Sequence, residues 1–149
     1  MSGALWRVDL DSGKKDPLVP DVLMQAYNVS ADGKRVVFIG DEANGHSPLR
    51  LAVLDGRSGP RQLASVEARS PYFGVNGDVF FVGDSPKGEF LFRVREDGSD
   101  LQPLAPSHFL YGVSLDGKWI AAWMEEPTET ENSIVAYPAN GGSPVFIVI

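Results

Sequence analysis

Cysteine is absent from this chain, which removes disulfides, thiolate nucleophiles and zinc–thiolate sites and leaves the redox compartment open. Histidine is scarce: His46 and His108 are the only two, far apart in the sequence. Long apolar runs are missing as well. Stretches such as Val145–Ile149 fall far short of the roughly 20 residues a helix needs to cross a bilayer, so no membrane insertion is expected of this segment. Positive charge is in deficit, with thirteen Lys and Arg against twenty Asp and Glu and a net charge of −7. A nucleic-acid partner is therefore not expected, because binding phosphates wants a basic face.

What is present is a fold-competent composition. Hydrophobic residues make up 43% of 149 residues, enough for a core and too many for a disordered chain. Sixteen glycines and eleven prolines point to many turns between short elements. Glycine-ending turn pairs recur along the whole sequence, at Ser12-Gly13, Asp32-Gly33, Asp55-Gly56, Asn76-Gly77, Asp97-Gly98, Asp116-Gly117 and Asn140-Gly141. Successive glycines are 20, 23, 21, 21, 19 and 24 residues apart. Asn-Gly and Asp-Gly favour two-residue hairpin turns, so each pair is read as a hairpin tip.

The turns alternate in kind. Gly33, Gly77 and Gly117 precede dense apolar runs, Arg35–Ile39, Asp78–Val82 and Trp119–Trp123, as expected of strands buried on both faces. Gly13, Gly56, Gly98 and Gly141 instead follow strands of mixed pattern, such as Leu5–Leu10, where Trp6, Val8 and Leu10 alternate with Arg7 and Asp9. Turns of one kind recur at 43, 42 and 43 residues, and of the other at 44 and 40. Four short strands per period of about 43 residues is what a β-propeller blade requires. A β-sandwich would also show short strands, but rarely at a fixed two-hairpin period. The expected fold is all-β, about three and a half blades of four antiparallel strands in a single partial domain over 1–149. The half blade covers 4–20, and full blades cover 21–65, 66–106 and 107–149.

The repeated wording carries a resemblance. Asn28-Val29-Ser30-Ala31-Asp32-Gly33-Lys34-Arg35-Val36-Val37-Phe38 and Gly112-Val113-Ser114-Leu115-Asp116-Gly117-Lys118-Trp119-Ile120-Ala121 resemble the Ser-Pro-Asp-Gly-Lys repeat of TolB-like (WD-repeat-like) propellers. Leu5–Gly13 and Leu91–Gly98 are similar to that family's second signature, a leucine-aromatic-x-valine strand running into a Gly turn. The usual proline is Ala31 or Leu115 here, and the middle blade is shortened to Val75-Asn76-Gly77-Asp78. The resemblance implies a protein-interaction module, the gating propeller of a prolyl-oligopeptidase-type hydrolase, or the sensor region of bacterial membrane-bound serine/threonine kinases. The blade wording is most similar to the last. A cell-envelope or periplasmic location follows from the resemblance alone.

Closed propellers have roughly four to eight blades, and three and a half leave an apolar flank open at each end. The expectation is either a piece of a longer propeller, suggested by the start at a mixed-pattern strand, or a homo-oligomer joined through the open flanks.

Catalytic chemistry finds no motif. Gly112-x-Ser114-x-Asp116 departs from a nucleophile elbow at its last position and sits in a hairpin rather than a strand-to-helix turn. No phosphate loop or His-Glu-x-x-His pattern occurs, so neither enzyme activity nor a cofactor is expected of this chain. Asp9, Asp11 and Asp16 lack the further ligands of a calcium loop.

The binding surface is expected opposite the Gly turns, on the face that carries the longer loops. Its candidate residues are Asp41, Glu42, His46, Asp84, Glu125 and Glu126 in connections between second and third strands. Asp21, Arg69 and His108 join them from connections between blades. The acidic loops suit a protein partner of basic character, or a polar ligand.

Overall fold

The computed structural model describes residues 2–40, 42, 45–55, 57–125 and 132–147. Among them every regular element is a strand. β1 (Trp6–Val8) and β2 (Lys15–Pro17) form an isolated hairpin, the half blade. β3 (Met24–Val29), β4 (Arg35–Gly40), β5 (Pro48–Val53) and the first half of β6 (Arg61–Phe73) make blade one. The second half of β6, β7 (Asp78–Ser85), β8 (Gly88–Arg95) and β9 (Gln102–Pro106) make blade two. Blade three is β10 (Phe109–Val113), β11 (Trp119–Glu125), β12 (Asn132–Pro138) and β13 (Val145–Ile147). All pairs are antiparallel neighbours in sequence, the meander expected from the turn spacing.

The Gly turns are wider than the two-residue form. Ser30 N–H donates to Arg35 O at 2.9 Å and Gly33 N–H to Ser30 O at 2.8 Å, closing a four-residue loop. The Ser30 hydroxyl donates to Asp32 at 2.5 Å and accepts from Arg35 N–H at 3.0 Å, while Asp32 accepts from Lys34 N–H at 3.0 Å. The turn at Ser114 repeats this bond for bond, with Ser114 Oγ to Asp116 at 2.7 Å and Trp119 N–H to Ser114 Oγ at 3.0 Å. The Ser-x-Asp-Gly-Lys spelling is thus a turn whose side chains satisfy its own backbone. The shortened turn, with Asn76 at φ 55° and Gly77 at φ 80°, has the paired positive φ of the two-residue hairpin.

The connection expected between blades one and two is strand instead. β6 runs unbroken, pairing with β5 up to Glu67 and with β7 from Ala68. It turns at a bulge where Ser70 takes φ 49° and the register shifts before Tyr72. Pro71, which has no N–H to offer a ladder, sits in that bulge.

Side-chain alternation makes the core. On β4, Val36 and Phe38 pack toward the half blade with Val19 and Met24, while Val37 and Ile39 pack toward blade two. On β7, Val79 and Phe81 face blade one, and Phe80 and Val82 face blade three with Leu110, Ile120 and Ala122. Phe81 stacks on Phe92 at 5.4 Å between ring centres. Each fully buried phenylalanine contributes roughly 1.5–3 kcal/mol of transfer free energy. Polar ties reinforce the same junctions: Arg35 Nη1 lies 2.6 Å from Glu96 across blades one and two, and Phe73 N–H donates to Asn28 Oδ1 at 3.0 Å.

Candidate functional site

The face opposite the Gly turns gathers most of the described candidate residues. Asp41 and Glu126 lie outside the described residues, as does the side chain of Glu125. Asp21, exposed and at φ 61°, turns the chain from the half blade into β3. Arg69, Asp84 and His108 converge through a residue that sequence reading missed, Glu89. Arg69 pairs with Asp84 at 2.8 Å and with Glu89, and the other oxygen of Glu89 lies 2.5 Å from His108 Nδ1. The His108 ring rests 5.5 Å from Trp123. In sequence Glu89 is a polar residue at a strand start. Only the fold, which brings Arg69 of β6 and His108 at the start of blade three to the first residues of β8, makes it a bridge.

A second cluster lies on blade one. His46 Nδ1 is 2.6 Å from Glu67, whose other oxygen accepts Ser47 N–H at 2.7 Å, and Glu42 pairs with Arg50. The Glu67 hydrogen bond and charge raise the His46 pKa above its ordinary 6.5, with Glu42 adding to the effect. The same bond, with that from Ser47, lowers Glu67 below its ordinary 4.5. Glu67 and Arg69 sit on β6 rather than on a loop. The connection at Asp84–Gly88 is likewise tighter than expected, since Ser85 pairs directly with Gly88.

Beside the Arg69 network lies an open cleft of about 420 Å³ lined by Val66, Phe90, Phe92, Pro86 and Pro103, with Asp84 at its rim. Ser85 and Lys87 complete the lining, so the apolar floor carries one carboxylate and one ammonium. Side chains singled out for chemistry are engaged elsewhere. Ser114 belongs to its turn, and Asp9 accepts from the Ser12 N–H and hydroxyl, both at 2.7 Å. Among the described residues no group of three or more His, Asp or Glu is placed to hold a metal.

No protein-family model and no curated protein matches the sequence. Solved structures do match. A protein described as a TolB from Agrobacterium tumefaciens superposes with a TM-score of 0.75 at 17% identity, over 99% of this chain and 55% of that one. The fold is that of a β-propeller, represented here by several of its blades. The β-propeller domain of the Trilobed protease from Pyrococcus furiosus, described as having an open velcro topology, gives 0.61 at 13% identity over 99% and 53%. A prolyl endopeptidase gives 0.65 at 16% identity over 99% of this chain and 26% of that one. The propeller blades of this chain therefore span about half the length of the TolB structure and a quarter of the endopeptidase.

Proposed function

We propose that this chain is a non-catalytic interaction module that takes a basic protein segment on its long-loop face, within a larger bacterial protein such as a receptor-type serine/threonine kinase. The observation that carries the reading is the charge of that face. Glu42, Glu67, Asp84 and Glu89 stand against Arg50, Arg69 and Lys87, and the same loops carry Asp41, Glu125 and Glu126 in the sequence. The cleft beside Asp84 gives a Lys- or Arg-rich segment an apolar surface for its side-chain stems. Charge complementarity of this kind sets association rate and specificity and weakens with salt.

The test is calorimetric titration with a short Lys/Arg-rich peptide and with an Asp/Glu-rich peptide of equal length. The basic peptide binds and the acidic one does not. Joint replacement of Asp41, Glu42, Glu125 and Glu126 by alanine weakens the binding by about tenfold or more. Equal response to both peptides, or an unchanged affinity in the variant, sinks the reading. A second reading, the gating propeller of a hydrolase, is favoured by the likeness to the prolyl endopeptidase. A Gly-x-Ser-x-Gly elbow encoded beside this segment would support it.

A further inference from the structure

The two junctions between complete blades differ at their Gly-turn ends. Backbone hydrogen bonds fix which residues correspond. Ser30 N–H donates to Arg35 O at 2.9 Å and Gly74 N–H to Asp78 O at 2.8 Å, so Arg35 and Asp78 open the second strands of blades one and two. Glu96 N–H donates to Gly77 O at 2.8 Å and Ala139 N–H to Lys118 O at 2.9 Å, so Glu96 and Ala139 follow the third strands of blades two and three. Between blades one and two, Arg35 meets Glu96 and an ion pair closes the junction. Between blades two and three the same places hold Asp78 and Ala139. Ala139 has no charge to offer, and Asp78 pairs inside its own blade with Arg95 at 2.9 Å. An open cleft of about 530 Å³ lies there. Val75, Pro138 and Ala139 give it an apolar wall, and Asp78, Arg93, Asp116 and Lys118 give it charge.

One positive charge in this cleft is left over. Asp78 is matched by Arg95, and Asp116 by Lys118 at 3.5 Å and by the Ser114 hydroxyl at 2.7 Å. Arg93 has no such match. Five arginines are half-buried among the described residues, and Arg35, Arg50, Arg69 and Arg95 are each paired with a carboxylate. Arg93, the fifth, donates from Nη2 to the neutral amide oxygen of Gln102 at 3.2 Å, and its buried Nε has no hydrogen-bond partner. The Nε of Arg50 is in the same position, but Arg50 has Glu42. A guanidinium keeps its charge at any pH a folded protein meets, so burying part of it beside a neutral amide carries a cost that an anion would offset.

The remainder sets the chemistry of that anion. A single unmatched positive charge suits one carboxylate better than a divalent phosphate, and the guanidinium fork fits carboxylate geometry. The apolar wall suits an apolar body behind the carboxylate, and the volume is in the range of small-molecule sites.

We propose that the cleft between blades two and three binds a small organic monocarboxylate, its carboxylate on Arg93 and its apolar body against Val75, Pro138 and Ala139. Both blades of this junction are complete, so the site is independent of what precedes or follows the chain. It lies on the Gly-turn face, away from the loops proposed to take a basic segment.

The test is an NMR titration of the 149-residue chain with acetate, hexanoate and phenylacetate, and with phenylacetamide and inorganic phosphate as controls. Hexanoate and phenylacetate shift the Arg93 side-chain Nε–H signal and the backbone amides of Asn76 and Ala139. Acetate, which lacks the apolar body, binds about tenfold more weakly or less. Phenylacetamide and phosphate leave these signals in place. Arg93→Gln lowers the phenylacetate affinity about tenfold or more. A second variant keeps Arg93: Ala139→Glu puts a carboxylate where the other junction has Glu96, and it displaces phenylacetate from within the chain. Phenylacetate raises the thermal transition of the unmodified chain and leaves that of Arg93→Gln where it was, which also checks that the variant folds. No response to any of the three carboxylates, an equal response to phenylacetamide or phosphate, or undiminished phenylacetate binding in either variant overturns the proposal. Arg93→Gln leaves the basic-peptide titration unchanged, and the alanine replacements on the long-loop face leave phenylacetate binding unchanged, so the two readings fail separately.

Discussion

Ser30 and Ser114 occupy the same place in two blades, each with its hydroxyl between a turn aspartate and a backbone N–H. Ser30 is 5% exposed, so Ser30→Ala leaves Arg35 N–H without its side-chain acceptor in a dry setting. The expected cost is about 1–3 kcal/mol in urea unfolding; a change within error contradicts the role. The glycines of the same two turns separate backbone strain from packing. Both hold φ near 67–68°, but a Cβ on Gly33 meets nothing within 4 Å, whereas on Gly117 it would stand 2.4 Å from Val75. Gly33→Ala should cost about 1 kcal/mol for the left-handed backbone, and Gly117→Ala roughly 1–3 kcal/mol more for the collision. Equal losses for both would show that Val75 moves aside freely.

His46 sets a pH signature at the same scale. Its folded pKa lies above 6.5, so the stability it contributes is fully present below pH 6.5 and is lost as pH rises through the folded value. Glu67 runs the other way: its contribution is present above pH 4.5 and is lost as pH falls through its lowered folded pKa. The pair is fully charged between those limits. An NMR titration should place the His46 midpoint above 6.5, and Glu67→Gln should bring it down; a midpoint at or below 6.5 in the unmodified chain contradicts the contact.

At the scale of elements, legibility followed the physics of burial. β4 and β7 read as strands covered on both faces because both alternating sets are apolar, and each set is now found in a different junction. Phe80→Ala and Phe81→Ala should therefore each cost about 3–5 kcal/mol although the rings point opposite ways, while Leu115→Ala, at a fully exposed turn, should stay within about 0.5 kcal/mol. A large difference between the two phenylalanines would mean that one junction is not packed as described. β6 was not legible, because Ser70-Pro71 carries the local signal of a connection. The bulge absorbs that signal, and only pairing with both β5 and β7 reveals a continuous strand. Glu89 was missed for a related reason, since its partners Arg69, on β6, and His108, just before β10, belong to segments that do not pair with β8. The two-residue hairpin was expected at every Gly turn; it occurs at Asn76-Gly77, where no serine or aspartate precedes to build the wider loop seen at Ser30 and Ser114.

For the whole molecule, the decisive strand is β11. Its sequence asks for cover on both faces, and blade two supplies it on one, through Ile120 and Ala122. Trp119, on the other face of β11, is 41% exposed. That the long-loop face takes a basic protein segment is tested most directly by calorimetric titration of the unmodified chain with a Lys/Arg-rich peptide at low and at high salt. Binding that weakens steeply as salt rises is predicted. No binding, or an affinity that salt does not change, would contradict it.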